Sequence, residues 1–259
     1  MEVARWYREP TPEMGYDLTE GRFGWFNRPR STGRGRGTVR PGVARDEVDA
    51  LVAEAEEAVG VEPLELVCDD RATAADLGPA LEERGFEPGT PTVFLAHVGD
   101  PAQFDDRGPK DLEIEMVTST DDELALWTSV KLRAFADSEV EPGPDATGPE
   151  MAVRRAEMAG QGRALIARLD DDVPAVCAYY EGEDRFVFVL GTRLPFRHRG
   201  IGRALLGHVV HSAVADGCRS VLINADEDGR PAALYQRLGF VDQVHWRRPW
   251  TRGVRRPGP

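Results

Sequence analysis

Arg185–Arg203, RFVFVLGTRLPFRHRGIGR, is the stretch on which the reading of this chain turns. Phe186 to Leu190 is an unbroken apolar run of β-formers, short enough to be a strand buried on both faces. A turn through Gly191, Thr192 and Pro195 follows, then Arg197-x-x-Gly200-x-Gly202. Directly behind it, Ile201, Leu205, Leu206, Val209, Val210, Ala213 and Val214 repeat at helical spacing. Strand, glycine loop and helix in that order make a cradle for an anion. The first turn of a helix leaves its amides unpaired and carries the positive end of the dipole. Gly200 and Gly202, lacking Cβ, let a pyrophosphate approach that backbone, and Arg197, Arg199 and Arg203 add charge around it. A P-loop would require Gly-Lys-Ser/Thr and a dinucleotide fingerprint Gly-x-Gly-x-x-Gly, and neither is written here.

The later signals extend the pattern. Ser220 to Ala225 (SVLINA) reads as a second buried strand, and Asp228 as a helix cap. Arg230 to Leu238 reads as a short helix closed by Gly239, so that LYQRLGF runs from Leu234 to Phe240. The Arg197–Gly202 loop resembles the acetyl-CoA-binding motif of the GNAT N-acetyltransferases, Gln/Arg-x-x-Gly-x-Gly/Ala. LYQRLGF is similar to that family's Leu-Tyr-x-x-x-Gly-Phe element. Where many members have Asn-x-x-Ala before Leu-Tyr, this chain has Asp228 and Pro231, which a cap and a first-turn proline absorb.

The resemblance covers residues 112–250 and implies a mixed α/β (α+β) fold, a central sheet flanked by helices. Leu112 to Val117 is predicted as its first strand, with helices at 121–136 and 149–159 around the loop Glu139–Gly148. A hairpin, 164–169 and 173–180, turns at Asp170-Asp171-Asp172. The resemblance further implies an acetyl-CoA-dependent N-acetyltransferase acting on a primary amine, by direct attack and without an acyl-enzyme. Backbone at Val189, Leu190, Gly191 and Thr192 would hold the pantetheine arm and the acetyl carbonyl. The amides of His198, Arg199, Gly200, Ile201, Gly202 and Arg203, behind Arg197, would take the pyrophosphate. Tyr235 would be the general acid for the departing thiolate. A general base is not written in Phe186–Leu190. Glu181, Glu183 and Asp184 before the strand, and Asp226, Glu227 and Asp228 after the next one, are the nearby carboxylates. Another class of function stays open, a non-catalytic acyl-CoA-binding regulatory module.

Outward from this core the chain is less patterned. Residues 44–59 form an amphipathic helix with Val48, Leu51, Val52 and Ala55 on one face. A strand at 64–68, a helix at 74–84 and a strand at 92–97 repeat the order seen at 201–246. Residues 1–98 are therefore expected to be a degenerate GNAT-like half or a separate small α/β domain, and 99–111, polar and carrying two prolines, a linker. From Arg22 to Arg45 there are seven arginines and no acid. That stretch is expected to be a loosely packed basic segment, with RNA contact as the rival reading. Met1 to Arg8 could supply a strand, the Arg30-x-x-Gly33-x-Gly35 copy of the loop motif has no helix behind it, and 251–259 is expected to be a frayed tail.

Composition bounds the rest. The 259 residues carry a formal charge of −13 with lysine only at 110 and 131, a field that repels nucleic acid and favours cationic substrates. Glu139, Glu141 and Asp145 hint in the same direction. Cys68, Cys177 and Cys218 are odd in number and widely spaced, so they read as buried free thiols. His208 and His211 share a helix face but lack a third ligand, so no metal is expected. No apolar run approaches a membrane span and the N-terminus carries no secretory segment, from which a cytoplasmic protein is expected; a homodimer is the partner allowed for.

Overall fold

The computed structural model describes residues 16–29, 35–97, 100, 104 and 107–253. The chain divides into two compact units. Unit 1 comprises residues 1–94, 225–232 and 243–259; unit 2 comprises 95–224 and 233–242. The division differs from one drawn through a linker at 99–111. Phe104 of that stretch is buried in unit 2, its ring edge-on to His97 and Phe240 at centroid distances of 5.5 and 6.3 Å.

In unit 1 the strands β1 (Tyr16–Glu20), β2 (Gly24–Pro29) and β3 (Gly35–Val39) form an antiparallel meander. Helix α1 (Val48–Val59) then crosses to β4 (Leu64–Cys68), which pairs in parallel with β3. α1 buries Val48, Leu51, Val52, Ala55 and Val59 and ends at Gly60, whose φ of 65° suits a residue without Cβ. After α2 (Arg71–Glu83) come the short β5 (Glu87–Pro88) and β6 (Thr92–His97).

The expectation of a loosely packed segment before residue 45 is corrected here. Glycine-rich β3 reads as loop because its backbone is closely covered: a Cβ on Gly37 would lie 2.8 Å from the Phe26 ring and 2.9 Å from Leu66. Four of the segment's arginines are also paired. Arg22, Arg36, Arg40 and Arg45 pair with Glu47, Glu65, Glu20 and Glu83. The readings made at Met1–Arg8 and on the Arg30–Gly33 copy lie outside the described residues.

Unit 2 is built on β7 (Leu112–Met116), β8 (Gly162–Leu169), β9 (Asp172–Tyr180) and β10 (Arg185–Thr192), successive antiparallel neighbours, with β11 (Val221–Asp226) parallel to β10. Between β7 and β8 run α3 (Asp121–Phe135) and α4 (Pro144–Ala159); α5 (Ile201–Ala215) links β10 to β11, and α6 (Arg230–Arg237) leads to β12 (Phe240–Arg252). The core beneath α3 joins Leu124, Trp127 and Val130 to Ala164, Ile166, Val176, Ala178 and Val189. The Trp127 indole N–H donates to the carbonyls of Leu165 and Cys177, 3.2 Å each, so its burial leaves no orphan donor.

α4 begins at Pro144, earlier than the expected 149. Pro144 suits the first helical turn, and the Gly148-Pro149 pair that reads as a breaker lies inside the helix. The frayed tail expected at 251–259 is corrected over 251–252, and its residues 254–259 lie outside the described residues. β12 continues to Arg252 and pairs antiparallel with β4, Thr251 opposite Glu65 and Arg252 opposite Leu64, while Arg252 ion-pairs with Glu56. An arginine- and proline-rich string reads as loose only until its acid partners are seen.

Candidate active site

The sheet of unit 2 opens at β10. Its parallel register with β11 runs Arg185–Val221, Phe186–Leu222, Val187–Ile223 and goes no further. At that point the register with β9 also shifts, from Val187 opposite Tyr179 to Val189 opposite Ala178, leaving Phe188 as the extra residue of a bulge. A bulge bends its strand and increases the twist, so β10 swings away from β11. Val189, Leu190, Gly191 and Thr192 keep β9 on one side and no β11 partner on the other. They are the four residues predicted to hold an acyl carbonyl and its arm.

Strand alternation sends Gly191 towards α3 and Thr192 towards α5. A Cβ on Gly191 would stand 3.0 Å from the Phe135 ring and 3.1 Å from Ala134; one on Gly202 would stand 3.3 Å from Thr192 Oγ1. The loop from Arg193 to Gly200 turns through two left-handed residues, His198 (φ 63°) and Gly200 (φ 81°), and delivers the chain into α5 at Ile201. Strand end, loop and helix start thus meet as the sequence predicts.

The arginines are used otherwise than expected. Arg197 donates to the carbonyls of Thr192 (3.0 Å) and Ala134 (2.8 Å) and pairs with Asp137, so its guanidinium ties the end of α3 to the loop. Arg203 donates to the carbonyl of Arg107 at 2.7 Å, and Arg199 lies 5.6 Å over the Phe196 ring. What the first turn of α5 presents to an anion is therefore mainly backbone.

Tyr235 on α6 is 7% exposed. Burial raises its phenol above the usual value, and the Cys177 thiol is near enough to add to the effect. Cys177 is the partner of Leu190 in the β9–β10 register, and the Tyr235 ring itself packs at 6.2 Å from that of Phe240. The cysteine itself is fully buried, its thiol pushed up to about 12, and is inert as a nucleophile.

The carboxylates that precede β10 are not brought there. Glu181 pairs with Arg163 and Glu183 with Arg219, both at 2.7 Å, and Asp184 accepts from Ser220 at 2.8 Å. All three precede Arg185, at the end of β10 opposite to the opening. Glu227 pairs with Arg71 and accepts from the Trp246 indole at 3.0 Å.

Residues 131–240 match the model of the acetyltransferase (GNAT) family. They form a GNAT acetyltransferase domain. Solved structures agree on the fold over much longer spans. A GCN5-related N-acetyltransferase from Kribbella flavida superposes with a TM-score of 0.63 at 18% identity, covering 100% of this chain and 97% of that one. One from Sphaerobacter thermophilus gives 0.61 at 19%, over 92% and 83%. A tandem GNAT protein from the clavulanic acid biosynthesis pathway gives 0.59 at 15%, over 93% and 85%.

Two features of the GNAT domain were not signalled by its motifs. The loop from 136 to 143 is latched to the cradle, with Arg193 donating to Glu139 (2.9 Å from Nε) beside the Arg197–Asp137 pair. Beneath α4, Arg154 is buried between Trp127 and Phe188 at 4.3 and 4.8 Å from their ring centroids. It pairs with Glu157, which accepts a 2.7 Å hydrogen bond from the Tyr180 hydroxyl. Tyr180 stands opposite Phe186 at the closed end of β10, so this buried pair anchors α4 and lies away from the opening. Neither cluster has a local signal, because each joins residues far apart in the chain.

Unit 1 repeats the strand, crossover helix, parallel strand order of β10–α5–β11 in β3–α1–β4. The loop entering its helix is closed from within. Arg45 N donates to Asp76 (2.9 Å), Gly42 N to the Thr73 hydroxyl (2.7 Å) and Ala44 N to Glu47 (3.3 Å).

Proposed function

We propose that the protein transfers an acetyl group from acetyl-CoA to a primary amine by direct attack within a ternary complex. The observation that carries this reading is the opening between β10 and β11, whose pairing ends at Val187 and Ile223. A carbonyl held along that edge by the unpaired backbone of Val189–Thr192 would find donors where negative charge develops during attack. Buried Tyr235 stays protonated at neutral pH and can hydrogen-bond the thioester sulfur, handing over its proton as the thiolate forms. The amides of His198–Arg203 and the positive end of α5 supply a place for the pyrophosphate. CoA brings the activated thioester; orientation, charge stabilisation and the proton belong to the chain. With Glu181, Glu183 and Asp184 drawn off to the far end of β10, amine deprotonation is assigned to Asp226 or Asp228, at and just beyond the end of β11, acting through water.

The first test is calorimetric titration with acetyl-CoA, alongside a Gly200→Glu/Gly202→Glu double variant. Binding by the wild type that the variant loses supports the cofactor site, and equal heats from both would sink it. Tyr235→Phe then separates enzyme from binding module. Turnover should fall about 100-fold or more with acetyl-CoA affinity kept within about twofold, whereas a binding module would release no thiol in either form.

A further inference from the structure

Phe135 ends α3 with 61% of its surface exposed, and its ring touches Gly191, a residue of the opened strand. Five residues on, Val140 is 78% exposed in the loop that Arg193 and Arg197 fasten to the cradle. A single exposed apolar side chain is ordinary. A phenyl ring held against the backbone that would carry the thioester is better placed, because whatever packs there lies beside the reacting carbon.

The charge around it has been cancelled. The loop holds three acids, and each faces an arginine: Asp137 is paired with Arg197, Glu139 with Arg193, and Glu141 with Arg133 at 3.5 Å while also accepting from Ser129 at 2.5 Å. A substrate with a second ammonium group would need an uncommitted carboxylate to offset its desolvation. Of the acids that make the sequence look receptive to a polycation, Glu139 and Glu141 are engaged in holding the loop, and Asp145 lies in the first turn of α4.

Resting on the acetyltransferase reading, we infer that the acceptor is a primary amine attached to an aromatic or bulky apolar group, and that Phe135 is the surface on which that group packs. Phe135 is a specificity-determining residue here. It moves no proton and touches no cofactor charge.

The test uses CoA-saturated protein titrated calorimetrically with phenethylamine and with spermidine, in the wild type and in Phe135→Ala, and repeats the four combinations as thiol release from acetyl-CoA. Phenethylamine should bind about tenfold tighter than spermidine, and Phe135→Ala should lose about tenfold of that affinity while the acetyl-CoA Kd stays within about twofold. Tighter spermidine binding, or phenethylamine binding untouched by the substitution, overturns the inference. So does a Phe135→Ala effect confined to the preference between acetyl-CoA and butyryl-CoA, which would make the ring a wall for the acyl chain. Phenethylamine binding without thiol release supports the acceptor class and counts against transfer. Thiol release with spermidine alone does the reverse.

Discussion

Gly200 holds a backbone conformation that a side chain resists, and it does so where the cradle turns into α5. A Cβ there would meet the Arg107 carbonyl at 3.3 Å and the Arg203 guanidinium at 3.4 Å besides forcing φ of 81° on an L-residue. Gly200→Ala should therefore cost about 1–2 kcal/mol in urea unfolding and weaken acetyl-CoA binding, read by calorimetry. Arg197→Ala makes a different prediction. It strands the carbonyls of Thr192 and Ala134 and leaves Asp137 without its partner, so a loss of about 1–3 kcal/mol is expected, together with faster hydrogen exchange in residues 136–143. At this scale the sequence is legible where a residue's own backbone decides its use, as at Gly200, and opaque where a distant partner decides it. Nothing in Arg197-x-x-Gly-x-Gly tells that the guanidinium turns to an aspartate sixty residues earlier.

Among the elements, α4 depends on a charge pair that its sequence does not advertise. Arg154 and Glu157 are buried one helical turn apart, and removing one partner leaves the other charged in an apolar site. Arg154→Ala is expected to destabilise by about 3–5 kcal/mol. The pH dependence has a definite sign. Burial pushes the Glu157 carboxyl above its ordinary value of 4.5, with Arg154 and the Tyr180 hydroxyl pulling the other way. A carboxyl raised in the folded state favours the fold while protonated, fully below 4.5, and loses that contribution as pH climbs through the raised value. Wild-type stability measured relative to Glu157→Gln should therefore decline as pH rises above 4.5, and a gap that widened would refute the assignment. The helices and strands of unit 2 were readable because apolar spacing is local. The start of α4 and the strands β2 and β3 were not, because proline and glycine signal breaks that tertiary packing overrode.

For the molecule as a whole, one feature of unit 1 bears on cofactor count. The loop entering α1 gives the amides of Arg45, Gly42 and Ala44 to Asp76, Thr73 and Glu47, the groups an anion would have to displace. Calorimetry is accordingly expected to return one acetyl-CoA per chain. Two would show that the resemblance between β3–α1–β4 and β10–α5–β11 extends to binding. The part of that resemblance from α1 onward was visible in the sequence as a repeated order of helix and strand; β3 was not. The division of the chain was not, since a boundary drawn by composition cannot see that residues 243–259 return to unit 1.

The pairing of β12 with β4 also sets an order of events during synthesis. Leu64–Cys68 leave the ribosome before the strands of unit 2, yet the strand that covers one of their edges, Arg248–Arg252, is translated after them. Amino-terminal domains ordinarily fold first as the chain emerges. Here the amino-terminal unit must wait, with the edge of β4 exposed, until nearly everything else has been made. Nascent chains arrested before Trp250 should therefore protect β8–β10 from protease while leaving β4 open to cleavage.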